Sequence, residues 1–537
     1  MRKFGLALAL LCGLAVSAQA APVSTAGGAL EGITKDGVMR FLGIPYARPP
    51  VGPLRWMPPQ PAQKWPGVRQ ATKFGPTCAQ VTTLGPFAGP PNSNEDCLYL
   101  NVFTPGVKGK APVLVWIHGG GYFDGASNDY DASKLVTRGK LVVVTLNYRL
   151  NLFGYMANPV LDAEGHPFGN YGTMDMQAAL RWVKQNIAAF GGDPGNVTLG
   201  GQSAGAGATA ANTMSPGARG LFQRAIFQSG GYTPFVPLSV SEEKGRKFAA
   251  AAGCTTGDIP KCLRALPAAK IEAMAGTASE NGPFITNPMI DGTVIPRQEI
   301  DLIQSGRFNK MPIMLGTTHD EGNFTNGILQ YFKKDRAPIN ETDYRQAYVQ
   351  KSYGGNAGPG GTLPAFPKGT VDAVIAHYPV AKAGAQMAWD SAHSDMLACR
   401  GQYIAGELSP HVPVFTYLFD DRTAQTYFPK MPGYQPLAYH TADIAYVFTG
   451  YHGGPEGLRF TLTTTQSKLS DRMVDAWANF ARSGNPNGEG NAPWPRWQKG
   501  ADSPAYLLQN NDWTTQTNAQ FAAAHQCGFW DSILRYR

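Results

Sequence analysis

Two unbroken apolar runs constrain the fold of this chain more tightly than any other feature of its sequence. VLVWI, from Val113 to Ile117, and LVVVTL, from Leu141 to Leu146, are apolar at nearly every position rather than at alternate ones. A strand with one face in water alternates; a strand without alternation needs cover on both faces, as in a parallel sheet between two helical layers. From Met174 to Phe190 the period changes. Met174, Ala178, Trp182 and Ile187 approximate one helical face, and Gln177, Arg181, Lys184 and Gln185 another. GGDPGN, Gly191 to Asn196, ends that helix at a turn. Val197 to Leu199 is then a short strand, and the alanine-rich segment after Gly205 a helix. AIFQS (Ala225 to Ser229), PIMLG (Pro312 to Gly316) and PVFTYLF (Pro413 to Phe419) are further strands.

This alternation predicts an α/β fold with a large, mostly parallel central sheet and helices on both faces. The interval from Leu238 to Lys310, and SYGGNAGPGGTLP from Ser352 to Pro364, have weaker periodicity and read as insertions forming a pocket wall. No internal repeat or second domain is visible, so residues 21–537 are expected to form one domain around one sheet.

The first twenty residues run from Arg2 and Lys3 through an apolar segment to Ala18, Gln19 and Ala20, the pattern of a secretory leader cut before Ala21. The segment is too short and too small-residued for a membrane anchor, and no later window approaches the roughly eighteen apolar residues a span requires. Cys12 lacks the small residue before it that a lipidation site carries. A secreted or periplasmic protein without a membrane anchor is expected. Removing Arg2 and Lys3 lowers the formal net charge from +8 to +6. The remaining basic residues are scattered, which suits a solvated surface and not a nucleic-acid groove. No sequence feature sets the oligomeric state, monomer and weak dimer being equally compatible.

Beyond Cys12 there remain Cys78, Cys97, Cys254, Cys262, Cys399 and Cys527. An even number in an exported chain favours disulfides, with fifteen pairings open. Cys78 with Cys97 and Cys254 with Cys262 are local pairs that would staple loops, and Cys399 with Cys527 would be the long closure. None lies in a CxxC, and no metal site is expected.

Gly201, Gln202, Ser203, Ala204 and Gly205 satisfy G-x-S-x-G, with a strand before and a small-residue helix after. That context forces a sharp turn and lifts a hydroxyl above the carboxyl end of the sheet, whereas the pentapeptide alone could be a packed bend without chemistry. HGGGYFDG, His118 to Gly125, follows a buried strand and leaves backbone N–H groups free to converge on one oxygen. Gly120 and Gly121 are the donors expected from this loop, with Ala204 as the third. Neither a P-loop nor a dinucleotide fingerprint is present, which sets phosphate cradling aside. A serine nucleophile needs an imidazole and a carboxylate to orient it. His440, in PLAYHTADIAYVF, is a candidate base, with His319, His393 and His452 as competitors, while His118 shapes the glycine loop. Asp320 and Glu321, just after the strand ending at Gly316, are both candidate acids.

In combination these segments resemble the type-B carboxylesterases, the α/β hydrolases that include cholinesterases and bile-salt-activated lipases. The resemblance is carried by FLGIPYARPPVGPLRW (Phe41 to Trp56), NEDCLYLNVF (Asn94 to Phe103), WIHGGGYFDG (Trp116 to Gly125), GNYGTMDMQAALRWVKQNIAAFGGDPGNVTLGGQSAGA (Gly169 to Ala206), DEG at 320–322, the segment around His440, and CGFW from Cys527. It implies the α/β-hydrolase fold, Ser203 as nucleophile, Glu321 rather than Asp320 as acid, and His440 as base. It also implies Gly120, Gly121 and Ala204 as oxyanion donors, supports the cysteine pairing above, and requires no cofactor. The partner is a small-molecule ester, cleaved through an acyl-enzyme.

Two departures bear on substrate. The family commonly has GESAGG where this chain has GQSAGA, so Gln202 removes a negative charge from the pocket base. The Cys78–Cys97 interval holds no tryptophan, the residue that cholinesterases present to a quaternary ammonium. An ester of a neutral or anionic acid is therefore expected, not a choline ester. A specialised esterase for fumonisin-type tricarboxylic side chains and an amidase using the same triad are the alternatives; a non-catalytic binding protein would lack one of the three residues. Near the base the family often has HGYEI where this chain has HTADI, so Asp443 stands for the usual glutamate with a shorter reach.

Overall fold

The computed structural model describes residues 18–534, apart from 82–83, 88–90, 232, 276–283, 285–286, 356–364, 451–460, 489–490 and 492. Twelve strands make one sheet: β1 (Ala18–Gln19), β2 (Ile33–Lys35), β3 (Val38–Pro45), β4 (Tyr99–Thr104), β5 (Ala111–Ile117), β6 (Val142–Leu146), β7 (Gly192–Gln202), β8 (Arg224–Gln228), β9 (Ile313–Thr318), β10 (Val414–Phe419), β11 (Pro504–Gln509) and β12 (Thr515–Thr517). Their spatial order is β1-β2-β3-β4-β6-β5-β7-β8-β9-β10-β11-β12. The contiguous block β6, β5, β7, β8, β9, β10 and β11 is parallel, and the strands on either side of it join antiparallel.

The unbroken apolar runs lie at the centre of this block, as both-face burial requires. Val113, Val115 and Ile117 of β5 enter one hydrophobic core, while Leu114 and Trp116 enter the core on the opposite face. Helix α1 (Tyr171–Asn186) and helix α2 (Ala204–Met214) pack on the first face. Helix α4 (Thr464–Ser483) closes the second, burying Trp477 and Phe480. Helix α3 (Val380–Leu408) contributes Trp389 and Cys399 to a third core shared with Trp530 near the C-terminus.

The turn expected at GGDPGN is instead a bulge inside β7. Gly192 pairs with Ala111, and the next pair is Val197 with Val113. Pro194 has no N–H for the ladder, and Asp193 Oδ1 accepts from Gly195 N at 2.8 Å, so the local turn chemistry survives within a longer strand. The insertion between Leu238 and Lys310 is helical in part, with Leu238–Ala252, Ile259–Arg264, Ala268–Ala275 and Glu299–Gln304 as its helices. Most of SYGGNAGPGGTLP lies outside the described residues, as do Cys12 and nearly all of the expected leader. The leader's last residues are described: Ala18 and Gln19 pair with Thr34 and Ile33, and Ala20 is buried. The expected cut before Ala21 would take β1 away and leave β2 as the sheet edge.

Disulfides join Cys78 to Cys97, Cys254 to Cys262 and Cys399 to Cys527. The last ties α3 to the helix Cys527–Leu534 across 128 residues of chain. Among the described residues no helix is long and apolar enough to cross a membrane.

Candidate active site

Ser203 stands between the end of β7 and the first residue of α2, with φ 59° and ψ −126°. A β-carbon rarely tolerates that conformation, which costs roughly 1–3 kcal/mol and persists only where the surroundings enforce it. They do so here. Ser203 N–H donates to Gln228 O at 2.8 Å, and its carbonyl accepts from Ala206 and Gly207 in the first turn of α2. A Cβ at Gly201 would lie 2.4 Å from Gly205 C and O, and one at Gly205 would lie 2.1 Å from Ile117 O. Strand, helix and the neighbouring β5 thus approach through both glycines.

The loop after β5 folds back on itself, Gly120 O accepting from Phe123 N at 3.0 Å and Asp124 N at 2.8 Å. Gly120 and Gly121 have φ of 103° and 62°. Among the described residues the N–H groups of Gly120, Gly121 and Ala204 have no intramolecular acceptor. His118 is buried beneath this loop, stacked on Tyr148 with ring centroids 4.5 Å apart, and burial pushes its imidazole down to about 4. It is a neutral structural ring.

Asp320 and Glu321, indistinguishable from sequence physics, face different ways. Glu321 is fully buried and bonds His440 Nδ1 through Oε2, while Oε1 accepts from Thr318 N at 2.9 Å. Burial raises the Glu321 carboxyl, but the His440 charge and hydrogen bond, the Ser229 hydroxyl beside it and the Thr318 N–H outweigh this and hold it below the ordinary range. Asp320 instead takes Arg422 Nη2 at 2.6 Å and Nε at 3.0 Å, and accepts from Ala438 N at 3.0 Å. Its own N–H donates to Ala438 O at 2.9 Å. It braces the segment that delivers His440 to Glu321.

With Nδ1–H committed to Glu321, His440 Nε2 carries a lone pair. That atom accepts from Gln202 Nε2 at 3.2 Å. Ser203 lines the adjoining cleft, of about 230 Å3, with Tyr122, Ala204, Phe235, Glu299 and Leu397. The competing histidines fall elsewhere. His319 pairs with Asp320 at 3.3 Å, His393 is half-buried against Trp389 with desolvation pushing its imidazole down to about 4, and His452 lies outside the described residues.

Sequence reasoning missed two features. One is a buried relay in which Trp477 Nε1 donates to Gln228 Oε1 at 2.9 Å and Gln228 Nε2 donates to Asp443 Oδ2 at 2.9 Å. Burial pushes Asp443 up to about 6. The other is Phe87 in the Cys78–Cys97 interval, which the tryptophan criterion passes over. It is packed edge-on against Phe324 and Tyr427, with 6% of its surface exposed, so its ring face is not offered to a ligand.

A carboxylesterase family model matches residues 19–530. The chain belongs to the carboxylesterase family. It is 34% identical over 482 residues to the medium-chain fatty acyl-CoA hydrolase precursor of Anas platyrhynchos, spanning 85% of this chain and 82% of that protein. It is 33% identical over 494 residues to the para-nitrobenzyl esterase of Bacillus subtilis (strain 168), spanning 89% and 92% respectively. A solved thermophilic PNB esterase superposes with a TM-score of 0.75 at 30% identity, covering 94% of this chain and 99% of that one. The type-B carboxylesterase assignment makes the chain a hydrolase of carboxylic esters. Its three disulfides belong to an oxidising compartment, outside the cytosol. Among the described residues no group of three or more metal-ligating side chains converges.

Proposed function

We propose that this carboxylesterase acts through Ser203 as nucleophile, His440 as general base and acid, and Glu321 as the carboxylate that orients the imidazole. The observation that carries the reading is the Glu321–His440 hydrogen bond with its Nε2 lone pair turned toward the end of β7, where Ser203 is held in a strained turn. Gln202 holds that lone pair at rest. On substrate binding the Ser203 hydroxyl takes its place, as catalytic hydrogen bonds commonly tighten only in the complex. Ser203 attacks the ester carbonyl as its proton passes to His440 Nε2. The N–H groups of Gly120, Gly121 and Ala204 hold the oxyanion, and His440 then protonates the departing alcohol. Water, deprotonated by the same imidazole, releases the acid and restores Ser203.

The substrate is an ester without a cationic group. Gln202 places a neutral amide where a carboxylate would attract a cation, and Phe87 presents no open ring face. Of the neutral and anionic classes the neutral one fits better, because the described lining of the cleft brings no arginine or lysine to pair with an anion. Ser203→Ala is expected to lower kcat/KM on a neutral ester by roughly 10^4 or more with an unchanged circular dichroism spectrum. Matched hydrolysis of acetylcholine and its uncharged isostere 3,3-dimethylbutyl acetate tests the second part. A strong choline preference, or wild-type rates in Ser203→Ala, would refute the corresponding half.

A further inference from the structure

Glu299 and Asn287, both on the wall of the cleft beside Ser203, each carry a buried side-chain oxygen without a hydrogen-bond partner among the described residues. Glu299 is 4% exposed, lines the cleft, and its Oε1 has no hydrogen-bond partner among the described residues. Asn287 lines the same cleft, and its Oδ1 is buried and equally unpartnered. A buried polar atom without a partner is costly, and two on one cleft wall are retained where an occupant satisfies them. The surrounding wall is otherwise apolar in large part, with Pro234, Phe235, Pro288 and Leu397 on it. We propose that Glu299 and Asn287 form a polar subsite of the Ser203 cleft that receives an uncharged hydroxyl group of the ester substrate.

The chemistry of the two oxygens selects that group. Burial drives the Glu299 carboxyl well above its ordinary range and so favours the protonated form, which donates. Asn287 Oδ1 can only accept. A hydroxyl donates one hydrogen bond and accepts others, so it answers both: its proton goes to Asn287 Oδ1 and its lone pair to the Glu299 O–H. A ketone or ether leaves Asn287 unanswered. A carboxylate has no proton to give Asn287 Oδ1, and an ammonium requires Glu299 to ionise there against its burial. The inference rests on the reading of Ser203 as the nucleophile. The hydroxyl belongs to either half of the ester, since acyl and alcohol groups both radiate from the carbonyl held at Ser203.

The test compares kcat/KM for methyl hexanoate, methyl 6-hydroxyhexanoate, methyl 6-aminohexanoate and monomethyl adipate. The alcohol arm compares ethyl with 2-hydroxyethyl hexanoate. Wild type is expected to favour the hydroxyl-bearing ester over its alkyl match by roughly tenfold in one of the two arms. In Glu299→Leu that ratio falls to about one. The same variant exchanges an unpartnered buried carboxyl for an apolar side chain, so its Tm is expected to rise. Should Glu299→Leu fail to fold, Asn287→Ala reads the same ratio from the other oxygen. A ratio unchanged by both variants overturns the subsite, as does a wild-type preference for the ammonium or carboxylate ester, or no hydroxyl preference in either arm. Failure of the underlying reading looks different: Ser203→Ala would then hydrolyse every ester at the wild-type rate, whatever its hydroxyl content.

Discussion

Gln202→Glu puts a full negative charge beside the imidazole acceptor and measures what that site is tuned against. The Gln202 amide nitrogen lies 3.2 Å from His440 Nε2, and the side chain is buried. A carboxylate oxygen in that place would attract the imidazolium by about 5 kcal/mol at an effective dielectric of ~20, and by about 1.3 kcal/mol in bulk water. At 1.36 kcal/mol per pH unit these limits correspond to roughly one to four units of added proton affinity. The sign follows directly: a base that holds its proton more tightly is unavailable until higher pH. The acid limb of kcat/KM for a neutral ester should therefore move up by at least about one unit, and activity at pH 6 should fall while the alkaline plateau is nearly retained. The assay is a pH profile of kcat/KM between pH 5 and 9 at constant ionic strength, on acetate esters of a neutral alcohol and of choline. The choline ester should gain relative to the neutral one at every pH, because the added charge also attracts the substrate. An acid limb that stays within about 0.3 unit of wild type would refute the placement of Gln202 against His440 or the role of His440 as the titrating base.

Two further outcomes follow from buried groups and covalent ties. Asp443 is fully buried and its carboxyl is pushed up to about 6 from an ordinary value of 3.8. A raised carboxyl destabilises the fold when ionised, with no penalty below the unfolded value and the full penalty above about 6, at most about 3 kcal/mol. Asp443→Asn should thus gain stability relative to wild type at pH 7.5 and none at pH 4, measured as the difference in unfolding free energy; a gain independent of pH would exclude this cause. Replacing both Cys399 and Cys527 by Ser releases a loop of 128 residues, worth up to about 5 kcal/mol by chain entropy, and should lower the denaturant midpoint without altering the ester profile.

The parallel block of the sheet was legible because β5, β6, β8, β9 and β10 are covered on both faces and so carry no alternation to misread. The antiparallel half was not. In β4 the apolar pattern is broken by Asn101, which is buried and satisfied by Gly43 N at 3.0 Å, Ser127 Oγ at 3.1 Å and Thr145 Oγ1 at 3.0 Å. Such a side chain reads as a loop residue until its partners are in place. In β3, Arg40 and Gly43 interrupt the run, and the register shifts between Phe41 and Ile44. The serine turn and glycine loop were legible because their chemistry is local. The residues alone did not distinguish His440 from its competitors, and only the resemblance selected it, since 119 residues separate Glu321 from His440 and only the folded chain brings them together. Glu299 was invisible for a different reason: an acid at the start of a short helix suggests a solvated surface, and only the packing of that helix against α2 and α3 makes it a buried cleft residue.

The adjacency of Asp320 and Glu321 sets a limit on length. Two successive carboxylates are divided between two tasks, one gripping Arg422 and the 438 backbone, the other gripping His440. The connection that aims them runs only from Thr318 at the end of β9. Surface loops of this chain can absorb added residues, since lengthening a loop costs little. Between Thr318 and Glu321 a single inserted or deleted residue would shift one carboxylate into the other's place and take both away from their own donors. A scan of one-residue insertions along the chain should therefore find this stretch intolerant, even where a point substitution in it leaves the fold intact.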